Sequence, residues 1–107
     1  MPSVLEISEG LQEISRLDTG AWGVDVAKIA TAPGAPTLDR VLNENTGLDV
    51  KSTVMPSGSP SFAGSVMTWP PWAALTALQG IILRVEFSFT DNNGAVRGRY
   101  ARFKVIF

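Results

Sequence analysis

The chain of 107 residues contains neither cysteine nor histidine. Without cysteine there is no disulfide, no thiolate chemistry and no cysteine-based metal site. The absence of histidine removes the commonest general base and the commonest protein ligand of transition metals. The two absences therefore exclude most of the familiar machinery of hydrolases and metalloenzymes.

Long hydrophobic runs and a strong charge of either sign are also lacking. No run approaches the roughly 20 apolar residues that span a bilayer, and residues 1–6 have neither the basic nor the long apolar region of a signal peptide. We therefore expect a soluble chain made inside the cell, with no membrane partner. The net charge of −1 argues against bulk binding to nucleic acid.

Short strands joined by turns are what the sequence does contain. Glycine and proline recur at short intervals, which long helices do not survive. Apolar and polar residues alternate best in residues 81–107, which predict a long terminal hairpin. Its inner face consists of Leu83, Val85, Phe87, Phe89, Ala101, Phe103 and Val105, and its turn of Asp91, Asn92, Asn93 and Gly94.

Several shorter segments complete a predicted all-β fold. Strands are expected at residues 3–7, 22–26, 37–42, 49–55 and 61–68. Residues 9–17 predict an irregular or briefly helical segment, and residues 73–78 a helical turn. One sheet would leave the hairpin's phenylalanines exposed, so a second sheet must cover them. We predict one domain over residues 1–107, an antiparallel β-sandwich of about seven strands, with a small barrel as the alternative.

The sequence offers few groups of residues that could form a catalytic, metal-binding or phosphate-binding site. The segments Asn43-Glu44-Asn45 and Asp91-Asn92-Asn93 are candidate calcium loops, but turn geometry alone explains these residues. Glu86 is expected to form a cross-strand ion pair with Arg102 or Lys104. The serines have no activating base, and no glycine-rich phosphate loop is present. The sequence predicts no enzyme, no metal and no cofactor.

A basic run near the C-terminus, Arg97, Arg99, Arg102 and Lys104, could suggest nucleic-acid binding. Strand parity argues against it, because odd and even positions of a regular strand face opposite sides. We expect Arg97 and Arg99 near the turn end, and we interpret Arg102 and Lys104 as a solvated face or as protection of a free sheet edge against aggregation. Nucleic acid is therefore not an expected partner.

The segment Trp69-Pro70-Pro71-Trp72 is the candidate interaction surface. Proline donates no ladder hydrogen bond, so the segment is a connection or a free edge. Its two indoles either close one end of the core, which the sequence favours, or form a contact patch, since tryptophan is enriched at interfaces.

Three segments in order, residues 41–47 (VLNENTG), 74–80 (ALTALQG) and 83–91 (LRVEFSFTD), resemble small immunoglobulin-like proteins of tailed-phage or prophage particles. The middle segment stands where those proteins have a Leu-Thr-Ala-Gly corner. Ile82 or Leu83 stands where they usually have tyrosine. The resemblance implies an immunoglobulin-like sandwich without catalytic residues, of the head–tail or fibre–tail adaptor type, which works by symmetric self-association.

The leading hypothesis is a non-catalytic structural protein of a virion, found there or in the host cytoplasm. Its expected partners are further copies of the chain or other particle proteins. The alternative is a carbohydrate- or peptide-binding module that uses Trp22, Trp69 and Trp72 as stacking platforms.

Overall fold

The computed structural model describes residues 3–6 and 10–107 of the chain. Eight strands follow one another: β1 (Ser3–Glu6), β2 (Gln12–Ser15), β3 (Trp22–Asp25), β4 (Gly34–Asn43), β5 (Ser61–Ala63), β6 (Val66–Thr68), β7 (Ile82–Thr90) and β8 (Val96–Ile106). A single helical turn, α1 (Lys51–Val54), follows β4, and a 3₁₀ turn (Leu75–Leu78) precedes β7. No helix among the described residues is long and apolar enough to cross a membrane.

The strands form two four-stranded sheets, β1-β3-β6-β5 and β2-β8-β7-β4. This arrangement confirms the predicted all-β sandwich. Two pairs, β1 with β3 and β2 with β8, are parallel, whereas the other pairs are antiparallel. Without β2, the neighbours follow the A-B-E-D and G-F-C orders of immunoglobulin constant domains. The immunoglobulin-like topology stays a prediction, because a parallel β1–β3 pair departs from an all-antiparallel arrangement.

The predicted terminal hairpin is confirmed as β7 and β8. Their register runs without interruption from Ile82 opposite Lys104 to Thr90 opposite Val96. Asp91 closes the turn, because its Oδ1 accepts hydrogen bonds from the backbone N–H groups of Asn93 and Ala95, both at 2.9 Å. Every predicted inner-face residue is buried or packs against the core, so alternation alone located this part of the core.

Residues 49–55, expected as a strand, instead form an isolated bridge followed by α1. Asp49 pairs with Leu42 through that bridge. The Asp49 carboxylate then accepts hydrogen bonds from the N–H groups of Val41 at 3.2 Å and Lys51 at 2.9 Å. These bonds turn the chain away from β4, so the segment cannot continue along the sheet.

Residues 9–17 also differ from the prediction. Ile14 of β2 is buried, whereas Leu11 and Leu17 are 46% and 61% exposed. The three-residue spacing of these side chains therefore does not mark one helix face. β2 lies beside the C-terminal end of β8 instead. Residues 7 and 9, the bounds of two predicted segments, lie outside the described residues.

Two remaining predictions concern short segments. Residues 61–68, expected as one strand, form the hairpin β5–β6, because Gly64 adopts a positive φ of 61° and reverses the chain. The helical turn expected at residues 73–78 is confirmed as the 3₁₀ turn.

Candidate interaction surface

The predicted contact patch Trp69-Pro70-Pro71-Trp72 lies mostly inside the sandwich. Both indoles are 1% exposed and Pro70 is buried, whereas Pro71 is exposed. The backbone N–H of Trp69 donates to the Trp22 carbonyl at 2.8 Å, which holds the segment against β3. The prediction of a surface built from these rings is therefore corrected: they fill the interior between the two small sheets, as the core interpretation proposed.

Phe103 of β8 is the centre of the aromatic core. Its ring centroid lies 5.3 Å from that of Trp22, 5.4 Å from Trp72 and 6.0 Å from Trp69, each in an edge-to-face arrangement. Such pairs add stability beyond the area they bury. The indole N–H groups of Trp69 and Trp72 have no hydrogen-bond acceptor among the described residues.

The outer face of the β4–β7–β8 sheet carries a ladder of ion pairs. Glu44 accepts two hydrogen bonds from Arg102, both at 2.8 Å, and one from Arg84 at 3.2 Å. The hydrogen bond from Arg102 is the main cause that lowers the pKa of Glu44. Glu86 pairs with Arg40. The expected pairing of Glu86 with Arg102 or Lys104 is corrected. The register places Tyr100 opposite Glu86, with Arg102 opposite Arg84, and Glu44 reaches both arginines.

The two candidate calcium loops use their oxygens to hold turns. Asn43 Oδ1 accepts hydrogen bonds from the N–H groups of Asn45 at 2.9 Å and Thr46 at 3.3 Å. Asp91 adds an ion pair with Arg97 at 2.9 Å, which is the main cause that lowers the pKa of Asp91. In the described part of the chain, no three acidic side chains gather as a metal site would require.

One stretch of β8 has a neighbouring strand on one side only among the described residues. β7 pairs with Val96–Lys104, and β2 pairs with Phe103–Ile106. On the side away from β7, residues 96–102 pair with no described strand and form an open edge. Val96 and Tyr100, on its outer face, are 74% and 55% exposed. Arg97 and Arg99 lie on the opposite face, as strand parity predicted, and both are exposed.

The hydrogen bonds at both ends of β8 show which backbone groups of the open edge lack a neighbour. The N–H of Val105 donates to Ile81 at 2.9 Å, and the carbonyl of Ala95 accepts from Asp91 at 2.8 Å, so odd positions bond towards β7. The carbonyl of Ile106 accepts from Arg16, on the β2 side, at 2.7 Å.

Because these directions alternate along an antiparallel strand, the N–H and C=O groups of Val96, Gly98 and Tyr100 point away from β7. The carbonyl of Gly98 accepts a hydrogen bond from the side chain of Arg99 at 2.7 Å. The open edge thus presents a row of backbone donors and acceptors that a further strand could use.

A shallow hollow of about 310 Å³ lies beside β4. Its walls include Pro36, Met55, Pro60, Pro70 and Lys51. The Lys51 ammonium donates to the Leu38 carbonyl at 3.1 Å, so it holds the rim of the hollow against β4.

Comparison of the chain with protein-family models, with curated proteins and with solved structures finds no match. Any functional proposal therefore rests on the geometry of the fold and on the sequence resemblance described above. Two features of that geometry escaped the sequence interpretation: Glu44 as the ion-pair hub, and the place of the open edge on β8. The position of the open edge could have been predicted from the sequence. The alternating run near the C-terminus is much longer than any predicted strand near the N-terminus that could pair with it.

Proposed function

We propose that this chain is a non-catalytic interaction protein that acts by self-association or by docking onto a larger particle. The observation that carries the proposal is the open edge of β8. Its register with β7 holds the edge in an extended conformation, and unpaired backbone groups on such an edge are a template for a strand of another chain.

The structural contacts of three acidic side chains support the same proposal. Glu44 joins two arginines, Asp91 closes the hairpin turn, and Asp49 accepts a hydrogen bond from the Val41 N–H of β4. Each carboxylate is thus engaged in holding a turn or a strand in place. A rigid scaffold with one strand edge open is the kind of structure that suits assembly.

The particle we propose is a tailed-phage virion or prophage particle, with the chain acting as a head–tail or fibre–tail adaptor. Two observations support this: the sequence resemblance over three segments, and strand neighbours that follow the immunoglobulin order apart from β2. Genes for tail, portal or capsid proteins beside the gene for this chain would strengthen the proposal.

Light scattering of the full chain over a rising series of concentrations tests the self-association. We expect the average mass to rise with concentration towards that of an oligomer. A mass that stays that of one chain throughout, together with the absence of the chain from purified particles of its source, would contradict the proposal.

A ligand-binding module is the second candidate. It no longer draws on Trp69 and Trp72 as stacking platforms, because both rings are buried. The hollow beside β4 is the feature that favours it. Saturation transfer from the methyl group of Met55, in that hollow, to a glycan or peptide would support this candidate over the first.

A further inference from the structure

The open edge of β8 carries Arg97 and Arg99 but differs from the other described sheet edges in its length, its regular pairing with β7 and the lack of a described segment that covers it. β2 and β5, at two other edges, contain four and three residues. Seven positions of β8, residues 96–102, continue in regular pairing with β7, without a proline or a register shift. Folded proteins usually shorten, bend or cover an edge of this length.

The edge of β4 shows what such blunting looks like. Its register with β7 shifts twice, and Pro36 within it has no N–H to offer. Two of its backbone carbonyls are also occupied, that of Leu38 by Lys51 and that of Val41 by the N–H of Val50 at 2.8 Å. The fold thus protects β4 and leaves β8 open.

We propose that β8 pairs, antiparallel, with β8 of a second copy of the chain, about a two-fold axis at Gly98. This inference rests on the proposed function and names the surface that performs the self-association. It joins the two β2-β8-β7-β4 sheets of the dimer into one continuous sheet across the edge.

The positions that bond outward determine this register. When Gly98 faces Gly98 of the second copy, Val96 of each copy faces Tyr100 of the other. Each of these three pairs exchanges two backbone hydrogen bonds, about six in all. The same register covers the two exposed apolar side chains of the edge with each other, a β-branched residue against an aromatic one. Gly98 places no side chain at the axis, and a Cβ at this position would meet no heavy atom within 4 Å among the described residues.

Charge limits how tightly this dimer forms. On the other face, the register sets Arg99 opposite Arg97 of the second copy, and like charges directly opposite each other are destabilising. The charge of Arg97 is balanced by Asp91 at 2.9 Å. Arg99 has no carboxylate partner among the described residues, and its side chain must release the Gly98 carbonyl. The dimer is therefore weak at low ionic strength and tightens as salt screens the arginines.

The first experiment compares Val96→Lys with Leu48→Lys in the full chain by sedimentation equilibrium. Both replace an exposed apolar residue, 74% and 64% exposed, with the same cation. We expect Val96→Lys to raise the dimer Kd by about tenfold or more, because it removes both Val–Tyr pairs and adds charge at the edge. Leu48→Lys, away from the edge, leaves the Kd unchanged. Circular dichroism checks that both variants stay folded.

Two further measurements test the register itself. Arg99→Glu places a carboxylate opposite Arg97 of the second copy and is expected to lower the Kd by about tenfold. Amide exchange by NMR is expected to slow at Val96, Gly98 and Tyr100 as concentration rises, whereas Arg97 and Arg99, which bond to β7, are protected at every concentration.

The outcomes separate this inference from the proposed function. A dimer whose Kd is equal in wild type and in Val96→Lys overturns the pairing through β8 but leaves self-association standing. A weaker dimer in Arg99→Glu overturns the register. A chain that is monomeric in wild type and in Arg99→Glu at every concentration overturns both the edge pairing and the self-associating form of the proposed function.

Discussion

Phe103→Ala is expected to cost a large part of the stability of the fold. The ring is fully buried and contacts three indoles edge to face. Truncating a buried phenylalanine to alanine costs about 3–5 kcal/mol, and the three ring contacts place this site towards the upper end. A domain of this size is stable by about 5–15 kcal/mol in total, so a loss of about 5 kcal/mol removes a third or more of the stability of the fold.

Phe107→Ala is the matched control, because the same residue type ends the same hairpin at 76% exposure. Its ring lies against the guanidinium of Arg16, 5.3 Å from the ring centroid, and the loss is expected to stay below about 1 kcal/mol. The free energy of unfolding of both variants is measured by urea unfolding. Tryptophan fluorescence reports the transition, because the three indoles surround Phe103. The slope of the free energy of unfolding against urea concentration is expected to be the same in both variants as in wild type.

A loss below about 1 kcal/mol for Phe103→Ala, or one equal to that of Phe107→Ala, would refute the reasoning. If Phe103→Ala does not fold at all, Phe103→Leu keeps a large apolar side chain and removes only the aromatic geometry. It is expected to cost about 1.5–4.5 kcal/mol, the sum of three lost ring pairs at about 0.5–1.5 kcal/mol each.

Two further predictions concern a strand and a charge. Gly23→Ala is expected to lower the free energy of unfolding in urea by about 1–3 kcal/mol, because a Cβ there would overlap the backbone carbonyl of Met67. Gly10→Ala, with open space around the new Cβ, is the control and is expected to cost little. Equal effects of the two substitutions would contradict this packing. The pKa of Glu44 is lowered, chiefly by Arg102, so the contribution of Glu44 to stability is present above about pH 4.3 and is lost as the pH falls through the lowered value. The urea midpoint is therefore expected to fall less between pH 7 and pH 3 in Glu44→Gln than in wild type, and an equal fall would show that Glu44 is not the responsible group.

The parts of the fold that the sequence predicted are those where a local pattern and burial agree. Alternation over β7 and β8 marked the inner face correctly, because the side-chain period of a strand is a property of its backbone. The turn at Asp91 was predicted from the residues that stabilise it. The strand predicted at residues 49–55 is wrong because local propensity and tertiary contacts disagree there. The Asp49 carboxylate accepts two hydrogen bonds that compete with strand formation, and one of them comes from β4.

The interaction surface was predicted less well, since exposure depends on what lies across the core. Trp69 and Trp72 have no local signal that separates an interface from an interior. Their burial follows from the position of Phe103, more than thirty residues further along the chain. Glu44 was assigned to a turn because its two arginine partners lie on strands that sequence proximity does not connect to it.

The sequence by itself determined that this chain is a β-sandwich ending in a long hairpin, and on which face of β8 each arginine lies. Period-two alternation and turn chemistry are local, and they need no partner strand to be interpreted. Only the tertiary structure decided that the indoles are core and that residues 96–102 form an open edge. Both depend on how far β2 extends along β8 and on what the second sheet covers, and these are properties of pairing between distant segments.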